Sequence, residues 1–326
     1  MKLGMEQRLD IKNNRIFDAA GEIERIVENI ETVMLGKREA VELLVLALIS
    51  GGHVLIEDVP GVGKTTLASA LAKSISCGFS RIQFTPDLMP SDITGFSVFN
   101  EKTGEFEFRK GAVMNNLVLA DEINRSTART QSALLEVMQE RQVTVDGNTY
   151  RLDPPFMVIA TQNPQDSFGT YPLPDSQIDR FMIKFNIGYP ERESELEMLK
   201  LEDRGKNEIG PVTDTDTVLL LQEAAKGVHV SDLIYEYIVS IDKATLEDRN
   251  LRSGAGPRAA LALLAMSRSY ALYNGRDYVV PGDVKRMVPY VLAHRIQLKR
   301  EAVSIGISRK KVIEDILGRV PIPESE

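Results

Sequence analysis

Apolar residues recur at helical spacing through IFDAAGEIERIVENIETVM (residues 16–34) and KREAVELLVLALI (37–49), which predicts two helices, the second stopped by Gly51-Gly52. Four short apolar runs follow: HVLIE (53–57), RIQFT (81–85), LVLAD (117–121) and PFMVIAT (155–161), with helical stretches at 64–76 and 127–140 between them. Strands alternating with helices predict an α/β core with a parallel sheet covered on both faces. Such sheets bind ligands at the carboxyl ends of their strands. Two stretches break the alternation and read as inserted β-hairpins. One is GFSVFNEKTGEFEFRKGAV (95–113), turning at Lys102-Thr103-Gly104; the other is RQVTVDGNTYRLD (141–153), turning at Asp146-Gly147. Beyond Tyr189-Pro190 the pattern is helical, over 191–203, 231–248, 257–273, 282–299 and 308–318, with 204–217 a polar linker. The expected division is an N-terminal helical linker (1–36), an α/β core (37–190) and an all-helical second domain (191–326).

Composition narrows the function classes. At 326 residues, with 43% hydrophobic and 26% charged residues, the chain has room for two domains and a sizeable core. A net charge of −8 lacks the basic footprint of a nucleic-acid binder, and the second hairpin's tip, Asp146-Gly147-Asn148, carries no cation to grip phosphates. A single cysteine, Cys77, excludes an internal disulfide and suits a reducing compartment, and His53, His229 and His294 are too dispersed for a structural zinc site. The opening MKLGMEQRLD lacks the apolar run of a signal peptide, and the longest apolar run, 41–52, is too short to span a bilayer. A cytoplasmic protein is expected, with Met5 an alternative start.

The chemistry begins at EDVPGVGKTT (57–66), between a predicted strand and a predicted helix. The pattern Gly-x-x-x-x-Gly-Lys-[Ser/Thr] is met by Gly63, Lys64 and Thr65, with Asp58 where the first glycine belongs. Pro60-Gly61 makes the turn, Gly61 and Gly63 let successive N–H groups across Val62 face an anion, and the helix from Lys64 through Thr65 and Thr66 adds its dipole. Lys64 is placed to reach the β- and γ-phosphates of ATP, and Thr65 to ligate Mg²⁺. Asp58 ends the strand, so its carboxylate is expected to accept hydrogen bonds away from phosphate. NLVLADEINR supplies Asp121 for the metal and Glu122 to polarise the attacking water, and ATQNP supplies Asn163 to orient that water or touch the γ-phosphate. Arg180 in SQIDRFM and Arg258 in SGAGPRAAL are candidate cations for the transition state, although spacing alone does not separate them from surface arginines.

Together PGVGKTT, LVLADE, ATQNP, DRF and GAGPRA resemble the AAA+ ATPases; ADEINR, QSALLEVMQERQVT, ATQNP and LPDSQIDRF resemble the MoxR family within them, across roughly residues 30–320. The resemblance implies a five-stranded parallel AAA+ core with a helical lid and ATP with Mg²⁺ between them. It makes Asn163 the sensor-1 residue, Arg180 an arginine finger reaching a neighbour's site and Arg258 the lid's sensor-2 arginine, acting on its own or a neighbour's nucleotide. It also implies a hexameric ring and a chaperone-like ATPase, often with a partner bearing a von Willebrand factor A domain. The hairpins become the helix-2 insert (95–111) and pre-sensor hairpin (143–152), and VMLGK (33–37) the adenine-contacting linker. The sequence departs from the pattern at Asp58 and, mildly, at GAGPRA, where relatives carry serine before the proline. A DNA-translocating ATPase and an ATP-binding scaffold with little turnover are the alternatives. Phe96, Phe99, Phe106 and Phe108 are expected to pack locally on their hairpin.

Overall fold

The computed structural model describes residues 18–164, 170–204 and 209–323; the expectation about Met5 lies outside them. Helix α1 (Ala19–Glu31) is started by Asp18, whose Oδ1 accepts the Gly21 N–H at 2.9 Å, and buries Ile23, Ile26, Val27 and Ile30 along one stripe. Helix α2 (Arg38–Ile49) is buried nearly all round. Then come β1 (Val54–Glu57), α3 (Lys64–Ser74), β2 (Phe79–Gln83) and the short α4 (Pro90–Thr94). The first hairpin is β3 (Gly95–Asn100) with β4 (Glu105–Lys110); β5 (Leu117–Asp121) and α5 (Ala128–Glu140) follow. The second hairpin is β6 (Gln142–Val145) with β7 (Asn148–Arg151), and the core closes with β8 (Met157–Gln162), α6 (Asp175–Ile178) and β9 (Ile183–Phe185).

The five core strands lie parallel in the order β2-β5-β8-β1-β9. Every residue of β5 is buried, as a central strand covered on both faces requires. Leu117 and Leu119 of β5, Met157 and Ile159 of β8, and Val54 and Ile56 of β1 join one cluster with α1, α2, α3 and the later helices. Val118, Ala120, Val158, Ala160 and Leu55 face the other way, onto Leu134, Leu135 and Met138 of α5.

The later part holds α7 (Arg192–Arg204), α8 (Thr215–Gly227), α9 (Asp232–Glu247), β10 (Leu251–Ser253), α10 (Pro257–Tyr273), α11 (Pro281–Leu292), β11 (Gln297–Leu298), α12 (Arg300–Ser304) and α13 (Arg309–Arg319). Helix α10 packs on α1 and α2, where Arg38 binds Glu24, Glu31 and Glu42 and donates to Tyr273.

Several expectations need correction. The linker assigned to 204–217 already contains the start of α8, because the Asp214 carboxylate accepts the Thr217 N–H at 2.8 Å and caps a helix that continues to residue 227. The helix expected over 282–299 stops at Leu292, and the chain turns back so that β11 pairs with β10, so the second part is not wholly helical. The four strands read from apolar runs become five; β9 is too short and too charged at Lys184 to stand out in sequence. Both hairpins form as expected, and the Asp146-Gly147 turn has positive φ at both residues, 50° and 79°, as a two-residue hairpin requires. Local packing on the first hairpin holds for Phe99 and Phe106, which are cross-strand partners with ring centroids 5.3 Å apart, whereas Phe108 stacks on Tyr150 of the second hairpin with centroids 4.0 Å apart. Phe99 and Phe106 pair edge-to-face yet stay 51% and 74% exposed, and Phe96 is 48% exposed.

Candidate nucleotide site

β1 delivers Glu57 to the edge of the core, and α3 begins seven residues later. The intervening loop turns through Gly61 (φ 89°) and Gly63 (φ 93°), left-handed conformations that favour glycine. A Cβ on Gly61 would meet nothing within 4 Å, whereas one on Gly63 would lie 3.3 Å from Met34. The loop is therefore open on one side and backed on the other by the VMLGK segment. Val62 is buried beneath it, Lys64 and Thr65 are half-buried at the start of α3, and Pro60, Gly61 and Thr66 are exposed. The Lys64 ammonium donates to the Asp58 carbonyl at 2.6 Å.

Asp58 faces away from this loop opening. Its Oδ1 accepts Val59 N–H at 2.8 Å, and its Oδ2 accepts the N–H groups of Ile187 at 2.8 Å and Gly188 at 2.6 Å. The same connector is held from the other side by Lys37, which donates to the carbonyls of Ile187 and Tyr189. Asp58 thus ties the loop to the segment between β9 and α7.

Strand register assembles the acids. Glu57 pairs with Gln162 and Ala120 with Ala160, so the ends of β1, β8 and β5 lie side by side. The Thr161 hydroxyl donates to Asp121 Oδ1 at 2.6 Å and accepts the Glu122 N–H at 2.9 Å. Asp121 is buried, and its Oδ2 receives the Arg81 guanidinium at 2.6 Å. Glu122 sits at φ 55°, ψ 50°, an uncommon conformation for a non-glycine residue and one that accompanies functional sites. Its carboxylate accepts from Gln83 at 3.0 Å and Arg125 at 3.1 Å. Asn163 is buried just past β8.

The structure therefore gathers the phosphate loop, Asp121, Glu122 and Asn163 at the carboxyl edge of the sheet. The Asp121 carboxylate and Thr65 hydroxyl are oxygen donors of the kind that could hold Mg²⁺, and Asp121 already has a cationic partner in Arg81. Thr161, Arg81, Gln83 and Arg125 were not singled out by sequence. The alternation in RIQFT carried a signal, since Arg81 and Gln83 share the face that meets the acids.

Arg180 and Arg258 are elsewhere. They line a cleft of about 290 Å³ with Gly52, His53, Asp179 and Arg295, at the amino end of β1. Arg180 donates to the Leu135 carbonyl at 2.9 Å, and Arg258 pairs with Asp179 at 2.8 Å. Arg295 binds the other oxygen of Asp179 at 2.8 Å; burial lowers its pKa, and the bonded carboxylate opposes that shift. His53 is buried at the cleft wall, which pushes its pKa down to about 4; Nδ1 accepts the Val158 N–H, leaving Nε2–H to donate to the Met138 carbonyl.

A model of the ATPase family associated with various cellular activities (AAA) matches residues 53–183, and one of the AAA lid domain matches 243–316. Chaperone MoxR1 of Mycobacterium tuberculosis is 42% identical over 311 residues, spanning 93% of this chain and 82% of its own. This chain belongs to the MoxR family of AAA+ ATPases. Protein MoxR of Methylorubrum extorquens is 29% identical across 93% of the chain and 94% of its own, and the uncharacterized Bacillus subtilis protein YeaC is 48% identical across 92% and 94%. A crystal structure of a Cytophaga hutchinsonii protein described as an ATPase superposes with a TM-score of 0.90 at 40% identity, covering 98% of this chain and all of that one. The MoxR-type chain is an ATPase, and none of its described helices is long and apolar enough to cross a membrane.

Proposed function

We propose that this chain hydrolyses ATP with Mg²⁺ in a hexameric ring, each site completed by the neighbouring subunit's copies of Arg180 and Arg258. One observation carries the reading: both arginines lie at the amino end of β1, while the phosphate loop leaves its carboxyl end. From His53 to Asp58 a strand advances about 16 Å. Two cations so far from their own subunit's loop, on one cleft, suit a site supplied across an interface. Such a head-to-tail contact closes into a ring.

Within the subunit, the loop N–H groups and Lys64 bind the β- and γ-phosphates, and Thr65 and Asp121 hold the metal. Mg²⁺ supplies charge neutralisation on the phosphate oxygens when bound. Glu122 accepts the proton of the attacking water, and Asn163 orients that water. The left-handed backbone at Glu122 and the Thr161 bridge fix this carboxylate relative to Asp121. Arg180 meets the charge that develops on the γ-phosphoryl group. Turnover then drives chaperone-like remodelling of a partner protein in the cytoplasm, one with a von Willebrand factor A domain by the family resemblance.

The test is Glu122→Gln. Phosphate release is expected to fall at least about 10²-fold, the contribution of a lost general base, while ATP stays bound and light scattering reports an accumulated ring. Unchanged turnover would overturn the assignment.

A further inference from the structure

Arg295 is the most heavily engaged side chain beside the arginine cleft, and the hydrolysis scheme above leaves it without a role. Its side chain is 3% exposed. Its Nε donates to Asp179 Oδ1 at 2.8 Å; one terminal nitrogen donates to the carbonyls of Met182 and Val291, the other to those of Asp179 and Phe181. All five guanidinium donors are used, which lysine could not reproduce. Four of the five acceptors belong to residues 179–182, the turn that carries Arg180. His294, next in the chain, bonds the Phe181 carbonyl at 3.1 Å. The Asp179 carboxylate, held by Arg295 on one oxygen, binds Arg258 on the other.

We infer that Arg295 is a positioning residue for the neighbour-facing pair: it locks the Asp179–Met182 turn to the end of α11, so that Arg180 and Arg258 are presented to the adjoining site as one rigid unit. The inference rests on the reading that Arg180 acts across an interface. A guanidinium that saturates the backbone of one turn removes that turn's freedom, and small displacements of a catalytic cation lower turnover steeply. Because α11 belongs to the later helical part, a shift of that helix carries both arginines with it.

The experiment compares Arg295→Met, Arg295→Lys and Asp179→Asn with Arg180→Ala in the full chain. It reads steady-state kcat and KM, fluorescent nucleotide affinity, and turnover after mixing each variant with Lys64→Ala subunits. Arg295→Met is expected to lower kcat about 10²-fold and Arg295→Lys about 10-fold, with KM and nucleotide affinity unchanged. Mixing Arg295→Met with Lys64→Ala should restore turnover to about a quarter of the wild-type rate, the share of interfaces that random mixing makes productive. That recovery is one a general loss of folding would not show. If Arg295→Met fails to fold, Arg295→Lys and Asp179→Asn carry the same test. Loss of nucleotide affinity, or no recovery on mixing, would overturn the inference by making Arg295 a residue of its own subunit's fold. Loss of turnover in Arg180→Ala with all three other variants at wild-type rates would overturn the inference and leave the interface reading standing. Wild-type turnover in Arg180→Ala would instead remove the interface reading and the inference with it.

Discussion

The two ends of β1 solve different problems. At the carboxyl end a contiguous loop, a helix start and an acid pair meet through strand register, and their polar groups bond mainly to backbone and to each other. At the amino end four arginines, Arg141, Arg180, Arg258 and Arg295, crowd one cleft with Asp179 as the only acid among the described residues that line it. The first arrangement is shaped to cradle an anion with its own backbone. The second concentrates positive charge, with Asp179 shared by Arg258 and Arg295 and with Arg141 and Arg180 donating to backbone carbonyls. Under the proposed reading, a site divided this way would let a subunit bind nucleotide alone and would withhold full turnover until a neighbour is in place.

The largest effects should separate the two ends by what they change. Lys64→Ala should weaken nucleotide affinity at least about 10-fold and lower turnover about 10³-fold, whereas Arg258→Ala should lower kcat about 10²-fold and leave affinity unchanged. Equal loss of affinity in both, measured by nucleotide titration, would break the comparison.

Acid should act on the cleft end next. His53 is held near pKa 4 in the fold against about 6.5 in the unfolded chain, and buried His294 is lowered in the same direction. Above about pH 6.5 both states are neutral and stability is full; as pH falls toward 4 the unfolded chain takes up protons first. The His53 contribution should fall away by about 3 kcal/mol at pH 4, seen as a falling Tm between pH 7 and 4. The His53 ring signals should stay those of neutral imidazole down to about pH 5; protonation near 6.5 would refute the burial argument.

The smallest effect sharpens the link between the loop and the later helices. Asp58→Asn leaves one carbonyl oxygen to serve three backbone N–H groups, so unfolding free energy should drop by about 2 kcal/mol in denaturant titrations. Nucleotide affinity should fall less than for Lys64→Ala, because this carboxylate bonds the 187–188 connector instead of the loop opening.

Much of the fold was legible where structure is local. The helix at 257–273 matches α10, and the Asp146-Gly147 turn sits where its dipeptide placed it. What escaped had its signal diluted: β9 is three residues long, and α8 begins in TDTDT, which reads as linker until Asp214 is seen as a cap. The acids of the site were legible because Asp121-Glu122 follows a fully apolar strand. Thr161 was not, because a threonine inside ATQNP has no meaning until β8 lies beside β5.

Sequence alone therefore determined the parts held by neighbouring residues: the phosphate loop and its helix, the alternation that builds the sheet, both hairpins and the family. Tertiary structure decided the parts joined across long stretches of chain. It turned Asp58 toward residues 187–188, brought Arg81 to Asp121, and set Arg258 and Arg295 on the two oxygens of Asp179. The reason is physical. A turn or a cap is fixed by dihedral preferences and hydrogen bonds within a few residues, whereas a charge cluster takes shape only after hydrophobic burial has chosen which strands and helices lie together.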